Sequence, residues 1–295
     1  MLQRFLDPSV LASISGLELV AKTVVDGFVA GLHRSPRFGF SQEFAEYRAY
    51  SEGDDLRHID WNVFARSERM YLKRYKGETN TQLTILIDAS ASMAYGSHNV
   101  NKLDFTRYLA ASIAYMSNSQ RDSVGIMVFD DEVRQYVPPS ARHGQLMRVL
   151  HALGEAEPGT RTDFEKPFFH CMNFLHRRGI IIVISDFYED PDRVIRTMEP
   201  LRSHGDELIL FHVLDPQEIR PSVQDAVLMV DMETAAEVEV TPEYLKTEYR
   251  QKIDGHIAAL QDRARRSGID YFQIDTSQPL DAALRDYLLI RQGRA

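Results

Sequence analysis

The sequence predicts an α/β protein, a mostly parallel β-sheet flanked by helices on both faces. Three observations carry this. From Thr81 onward, strand-like and helix-like segments alternate regularly, the signature of repeated crossover units. Two strand-like runs, Thr84-Ile-Leu-Ile87 and Ile180-Ile-Ile-Val-Ile184, are apolar or β-branched at every position, as befits strands buried on both faces. A chain of 295 residues that is 44% hydrophobic and 10% aromatic can fill a core, as one large domain or as a domain with an appendage.

The elements follow in order. Residues 8–33 carry apolar side chains at helical spacing, among them Val10, Leu11, Ile14, Leu17, Val24, Phe28 and Leu32; one or two helices broken near Ser15-Gly16 account for them. Arg34–Ser41 reads as a loop. Residues 44–78 are polar yet aromatic, Gly53-Asp54 is a turn signal, and Met70–Lys76 resembles a charged edge strand. Residues 1–80 thus form an N-terminal helical and edge-strand extension, 81–277 the main domain and 278–295 a C-terminal helix. Within the main domain the pattern predicts a strand ending at Asp88 and a helix over 102–120 with Leu103, Phe105, Leu109, Ile113 and Met116 inward. Ser123–Phe129 is the second strand, and Glu132–Val137 returns antiparallel until Pro138-Pro139 stops it. Helices at about 143–153 and 163–178 precede the strand Ile180–Ile184. A helix at 191–203, a strand at Glu207–Val213 and a hairpin-like pair at Ala226–Val230 and Glu237–Val240 come next. A long helix from Pro242 to about Arg266, a strand at Ile269–Ile274 and a helix at 280–291 complete the chain.

Composition excludes several function classes. Lys and Arg total 34 against 43 Asp and Glu, a net charge of -9, which argues against a general nucleic-acid binder. The single cysteine, Cys171, rules out an internal disulfide and a cysteine zinc site and suits a reducing compartment. No apolar run is long enough to span a bilayer, and Met1–Asp7 lacks the pattern of a secretory signal. The expected location is cytoplasmic.

The most telling stretch is Asp88-Ala-Ser90-Ala-Ser92, where the first buried strand ends in three oxygen-bearing side chains at alternate positions. Such residues share a face while the chain stays extended, at the edge where open α/β sheets bind ligands. An acid and two hydroxyls suit a hard cation such as Mg²⁺; equally, they suit helix capping. Asp186 follows the other buried strand, and Thr162-Asp163 lies in a loop leading into a helix. If the two strands are neighbours, Asp88, Ser90, Ser92, Thr162 and Asp186 can converge on one ion; taken singly, Thr162-Asp163 and Asp186 read as caps. Upstream, Asp54, Asp55 and Asp60 interleave with Arg48, Arg57 and Arg66 around Trp61, the sole tryptophan. That composition suits a structural ion-pair network, which also mimics active sites. His151, His170, His176 and His212 form no metal-binding pair at suitable spacing and are expected to be hydrogen-bonded residues. Cys171 is expected to be buried and inert.

Asp88-x-Ser90-x-Ser92 with Thr162-Asp163 and Ser185-Asp186 resembles the metal-ion-dependent adhesion site of von Willebrand factor A domains. The block from Glu46-Tyr47-Arg48 through Gly53-Asp-Asp-x-Arg57-x-Ile-Asp60-Trp61 to Arg66 resembles the bacterial family called domain of unknown function 58. The resemblance runs from about Leu19 to Asp275. It implies a von Willebrand factor A-like, Rossmann-type fold and a divalent metal held directly by Asp88, Ser90 and Ser92. Thr162 would join directly or through water and Asp186 mostly through water, with Thr160 as the fallback for Thr162. Mg²⁺ is the first expectation, Mn²⁺ or Ca²⁺ the alternatives. It further implies a protein partner that offers an acidic side chain to the metal, and an AAA+ ATPase of the MoxR type as co-worker. The chain has no P-loop of its own. Longer family members carry transmembrane segments that this sequence lacks. The expected function is a non-enzymatic interaction module or adaptor. The alternative is a Mg²⁺-dependent phosphohydrolase with Asp88 as nucleophile, but the second acid such enzymes use is Ser90 here, and no lysine is evidently placed for phosphate. No GxSxG elbow supports a serine hydrolase.

Overall fold

The computed structural model describes residues 7–32, 44–49, 71–75, 81–159, 163–174, 178–230, 232 and 236–293. Two compact units emerge, Met1–Gly27 with Thr81–Ala295, and Phe28–Asn80.

The N-terminal helices are α1 (Pro8–Leu11) and α2 (Leu17–Leu32), separated around Gly16, whose φ of 92° is open to glycine without strain. The smaller unit contains the antiparallel strands β1 (Phe44–Ala49) and β2 (Tyr71–Tyr75). The charged segment near residue 70 is therefore a strand, and its partner is a stretch whose mixed polarity concealed it. Arg48 lies on β1; Asp54, Asp55, Arg57, Asp60, Trp61 and Arg66 lie outside the described residues.

The larger unit is built on a six-stranded sheet. Its strands are β3 (Gln82–Asp88), β4 (Ser123–Phe129), β5 (Val133–Ser140), β6 (Ile180–Ser185), β7 (Glu207–Leu214) and, after the β8–β9 hairpin (Val227–Val230 and Glu237–Val240), β10 (Asp270–Asp275). The order across the sheet is β10-β7-β6-β3-β4-β5. All neighbours are parallel except β4 with β5. The fold is thus α/β, von Willebrand factor A-like and mostly parallel. β3 and β6 are direct neighbours, with Ile87 paired to Ile184. β6 is buried along its whole length, as its unbroken apolar run requires.

The helices are α3 (Lys102–Ser119), α4 (Gln145–Gly154), α5 (Glu165–Phe174), α6 (Pro191–Ser203), the short α7 (Pro216–Ile219), α8 (Pro242–Tyr244), α9 (Arg250–Arg266) and α10 (Asp281–Gly293). A π-helical turn, Leu245–Tyr249, joins α8 to α9. On α3 the five predicted apolar positions are all buried. One side of the sheet packs Leu86, Phe129, Val183 and Leu210 against Phe164, Phe168, Met198 and Leu260, each worth about 1.5–3 kcal/mol when fully removed from water.

One expectation is corrected. Pro138-Pro139 do not stop β5, which runs on to Ser140. As an edge strand it tolerates prolines, because no further strand needs their missing N–H. The pairing shifts register opposite Val124 and Ile126, and between them Gly125 leaves room: a Cβ there would lie 2.6 Å from the Pro139 nitrogen.

Candidate metal centre

Every parallel strand of the sheet ends in, or is followed directly by, an aspartate. Across the sheet they are Asp275, Asp215, Asp186, Asp88 and Asp130. Four of them, all but Asp275, are buried. Burying a carboxylate is costly unless it is paired or hydrogen-bonded, so the question is what neutralises each one. Asp275 accepts the backbone N–H and hydroxyl of Ser277. Asp215 caps α7 and accepts backbone N–H groups of Gln217 and Ser97, each at 2.8 Å. Asp130 is gripped by Arg134, whose Nε lies 2.8 and 2.7 Å from its two oxygens.

Asp88 differs. One of its oxygens accepts the Ser90 backbone N–H at 2.8 Å, the other the Ser185 hydroxyl at 2.6 Å. Among the described residues no basic side chain pairs with it. Burial, with the charge of Asp186 added, pushes its carboxyl up to about 7. Ser90 precedes a 3₁₀ turn, Ala91–Ala94, yet its side chain caps nothing. Instead its hydroxyl meets that of Ser92 at 3.1 Å, and Ser92 in turn bonds to Asp186. The capping reading of these residues fails on the same geometry: Asn101 caps α3 and Asp190 caps α6. Asp88, Ser90, Ser92 and Asp186 therefore do converge at adjoining ends of β3 and β6.

Asp186 has a counter-charge. The Lys102 ammonium, at the first position of α3, lies 2.7 Å from Asp186 and 2.6 Å from Glu218 on α7, and its side chain is wholly buried. Burial works upward on Asp186, but Lys102 and the Ser92 hydroxyl outweigh it and hold the carboxyl below its ordinary range. On Glu218, burial prevails and the carboxyl is raised. Burial works downward on Lys102, and the two carboxylates more than compensate, raising it. The next residue, Phe187, adopts a left-handed φ of 46°, a strained state for a bulky side chain that costs about 1–3 kcal/mol. Its buried ring, stacked on Phe164 at 5.7 Å and edge-on to His212 at the same distance, holds it there. His212 itself donates or accepts a 2.6 Å hydrogen bond with Tyr271, the core role expected of it.

Thr162, like Thr160, lies outside the described residues. The described residues flanking them are tied to the same edge: the Gly159 N–H donates to the Ala89 carbonyl at 2.6 Å, and the Asp163 N–H to the Asp130 carbonyl at 3.2 Å. A Cβ on Gly159 would collide with the Asp130 carboxylate, so only glycine allows this approach. The Asp163 side chain accepts the Glu165 N–H at 2.9 Å, a capping role at the start of α5. Among the described residues no three His, Cys, Asp or Glu side chains form a metal cage. The donor set that Asp88, Ser90, Ser92 and Asp186 offer is instead two carboxylates and two hydroxyls, all oxygen, which fits a hard divalent cation.

The family model described as "Protein of unknown function DUF58" matches residues 46–263. The chain belongs to the DUF58 family. It is 28% identical over 282 residues to the uncharacterised protein Rv1480 of Mycobacterium tuberculosis, covering 92% of this chain and 86% of that one. In fold it is similar to a conserved hypothetical protein, BatB, from Bacteroides thetaiotaomicron, with a TM-score of 0.50 at 15% identity over 73% of this chain and 100% of that one. It is similar to the same extent, TM-score 0.50 at 16% identity, to an aerotolerance-related membrane protein from Bacteroides fragilis, over 70% of this chain and 96% of that one. Among the described residues of the DUF58 chain, no helix is long and apolar enough to cross a membrane.

Sequence reading of this DUF58 chain missed Lys102 and Glu218, and a lysine does stand at the site. It is not free for phosphate, however, because both its ion pairs are internal. Two signals pointed to them. A lysine at the first turn of a helix opposes the helix dipole and needs an acidic partner. Asp215-Pro-Gln-Glu218 has the spacing of a capping box, which the structure forms, immediately after a buried strand.

Proposed function

We propose that this DUF58 chain is a non-enzymatic, metal-dependent protein-interaction module. The observation that carries the reading is Asp88: a buried carboxylate with no cationic partner among the described residues, at the carboxyl edge of a parallel sheet, beside two serine hydroxyls. Asp88, Ser90 and Ser92 would hold the ion, and the Asp186 oxygen not taken by Lys102 would face it or its water. The family resemblance adds Thr162. When bound, a divalent ion supplies an electrophilic point that a partner's Asp or Glu can ligate, since hydroxyl donors neutralise little of its charge. The chain's own contribution is to exclude bulk water from Asp88 and to fix the serine loop through the Ser90 N–H and the Ser185 hydroxyl. Cooperation with a MoxR-type AAA+ ATPase rests on the resemblance alone.

Isothermal titration with MgCl2 and MnCl2 tests the metal: binding to the intact protein, lost in Asp88→Ala, supports the reading. Partner capture that is unchanged in EDTA and in Asp88→Ala overturns it.

A further inference from the structure

The candidate metal centre opens onto a groove of about 480 Å³ whose walls are of two kinds. Ser92 and the tyrosines Tyr95, Tyr188 and Tyr249 line it together with the strand β8, which contributes Leu228, Met229 and Val230. The hairpin of β8 and β9 is a two-stranded sheet of its own, and it is unusually bare. Of the eleven large hydrophobic side chains exposed among the described residues, five border this one groove: Tyr188, Leu228, Met229, Val230 and Met232. Isolated exposed apolar residues need no explanation, but a contiguous patch beside a polar site marks an interaction surface. Leu228 is 58% and Val230 54% exposed. Two residues apart on one strand, they lie on the same face.

We infer that the groove seats an extended segment of a protein partner that carries one carboxylate with a large apolar residue close beside it. This rests on the metal-dependent reading above and names the partner's chemistry. The two kinds of lining match the two features of the occupant: the acid goes to the centre at Ser92, the apolar residue to Leu228 and Val230. Charge restricts the occupant further. Glu239 and Glu237 stand opposite Leu228 and Val230 across the hairpin and are exposed, so a second acid beyond the apolar residue is disfavoured. Glu218, which also lines the groove, is already engaged by Lys102, so its charge is offset and repels an incoming carboxylate less than a free acid would. The hydroxyl of Tyr249 donates to the Glu218 carbonyl at 2.8 Å, so the tyrosine wall is preformed.

The test selects binders to the full chain from a phage-displayed random peptide library in MgCl2. Enriched peptides are expected to carry one Asp or Glu with Leu, Ile, Met or Phe within three residues and no second acid. Binding of a synthetic copy of the best peptide should weaken about tenfold or more in Leu228→Ser/Val230→Ser. It should be unchanged in Val238→Ser, which is equally exposed but does not line the groove. Equal melting temperatures of the three proteins establish that the exposed substitutions leave the fold intact. Selection of peptides without an apolar residue, selection of nothing above the bare support, or undiminished binding by the double variant overturns the inference. Binding abolished by EDTA and by Asp88→Ala but indifferent to the hairpin overturns this inference alone. Binding that needs the hairpin but ignores both EDTA and Asp88→Ala overturns the metal reading and, with it, the acid anchor.

Discussion

Two neighbouring strand ends of the same sheet solve the same problem differently. β4 is followed by Asp130 and β3 ends in Asp88; the strands pair in parallel, with Asp88 opposite Phe129, and both carboxylates are fully buried. Burial works upward on Asp130, but the hydrogen bonds and charge of Arg134 outweigh it and the carboxyl is lowered. Among the described residues Asp88 has only neutral donors, and its carboxyl is raised. An aspartate neutralised by its own chain is part of the architecture. Asp88, among the described residues, has no such counter-charge, and on this contrast with Asp130 the metal-dependent reading proposed above rests. Asp186, held by Lys102, stands between the two cases.

The comparison breaks most severely at Lys102. Lys102→Met leaves the buried Asp186 and the half-buried Glu218 without their cation, so that Asp186 comes to resemble Asp88. Removing one partner of a buried pair is expensive, so a loss of about 4 kcal/mol is expected in urea melts in EDTA. A loss below about 1 kcal/mol would mean that Lys102 contributes no more than a surface pair.

Asp88→Asn sharpens the contrast by going in the opposite direction. The amide keeps an acceptor for the Ser90 N–H and removes an uncompensated charge, so in EDTA the variant should gain about 1 kcal/mol. In MgCl2 at a hundredfold excess over Kd, the intact protein should gain about 2.7 kcal/mol and the variant nothing. Thermal melts in the two buffers read both effects, and the same ranking of the proteins in both would remove the distinction between Asp88 and Asp130.

Much of this was legible in the sequence, for a physical reason. Strands buried on both faces must be apolar throughout, so Thr84–Ile87 and Ile180–Ile184 stood out, and the polar residues that ended them marked the sheet edge. The convergence of Asp88 with Asp186 needed one further fact, the adjacency of β3 and β6, which no local pattern carries. The Lys102–Glu218 pair spans 116 residues and exists only because the end of β7 lies next to that of β6. β1 was hidden by its mixed polarity, and β5 outran its prolines because an edge strand does not need their N–H. The run of strand-terminal aspartates was present in the sequence throughout: Phe129-Asp130, Leu214-Asp215 and Ile274-Asp275 repeat what Ile87-Asp88 and Ser185-Asp186 display. Its meaning depends on which of the five acids has a partner, and that is a property of the folded edge.

Arg134→Ala converts Asp130 into a second Asp88. Because Arg134 is 49% exposed, water replaces part of what is lost, and the variant should be less stable than the intact protein at neutral pH by a smaller margin than Lys102→Met. The pH dependence then identifies the source. The Asp130 carboxyl is lowered in the fold from its ordinary 3.8, so its stabilising contribution is fully present above that value and is lost as the pH falls through the folded-state value. Arg134 is the cation facing it, and Asp131 and Glu132 are the acids nearest in the same turn. The stability gap between the intact protein and Arg134→Ala should therefore be largest at neutral pH and narrow steadily as the pH falls to about 4, because Asp130 takes up its proton first in the variant, where burial is unopposed by Arg134, and last in the intact protein. Urea melts across that range measure it. A gap that persists unchanged at the acid end would assign the loss to packing of the Arg134 stem rather than to the charge, and Asp130 would no longer be the neutralised counterpart of Asp88.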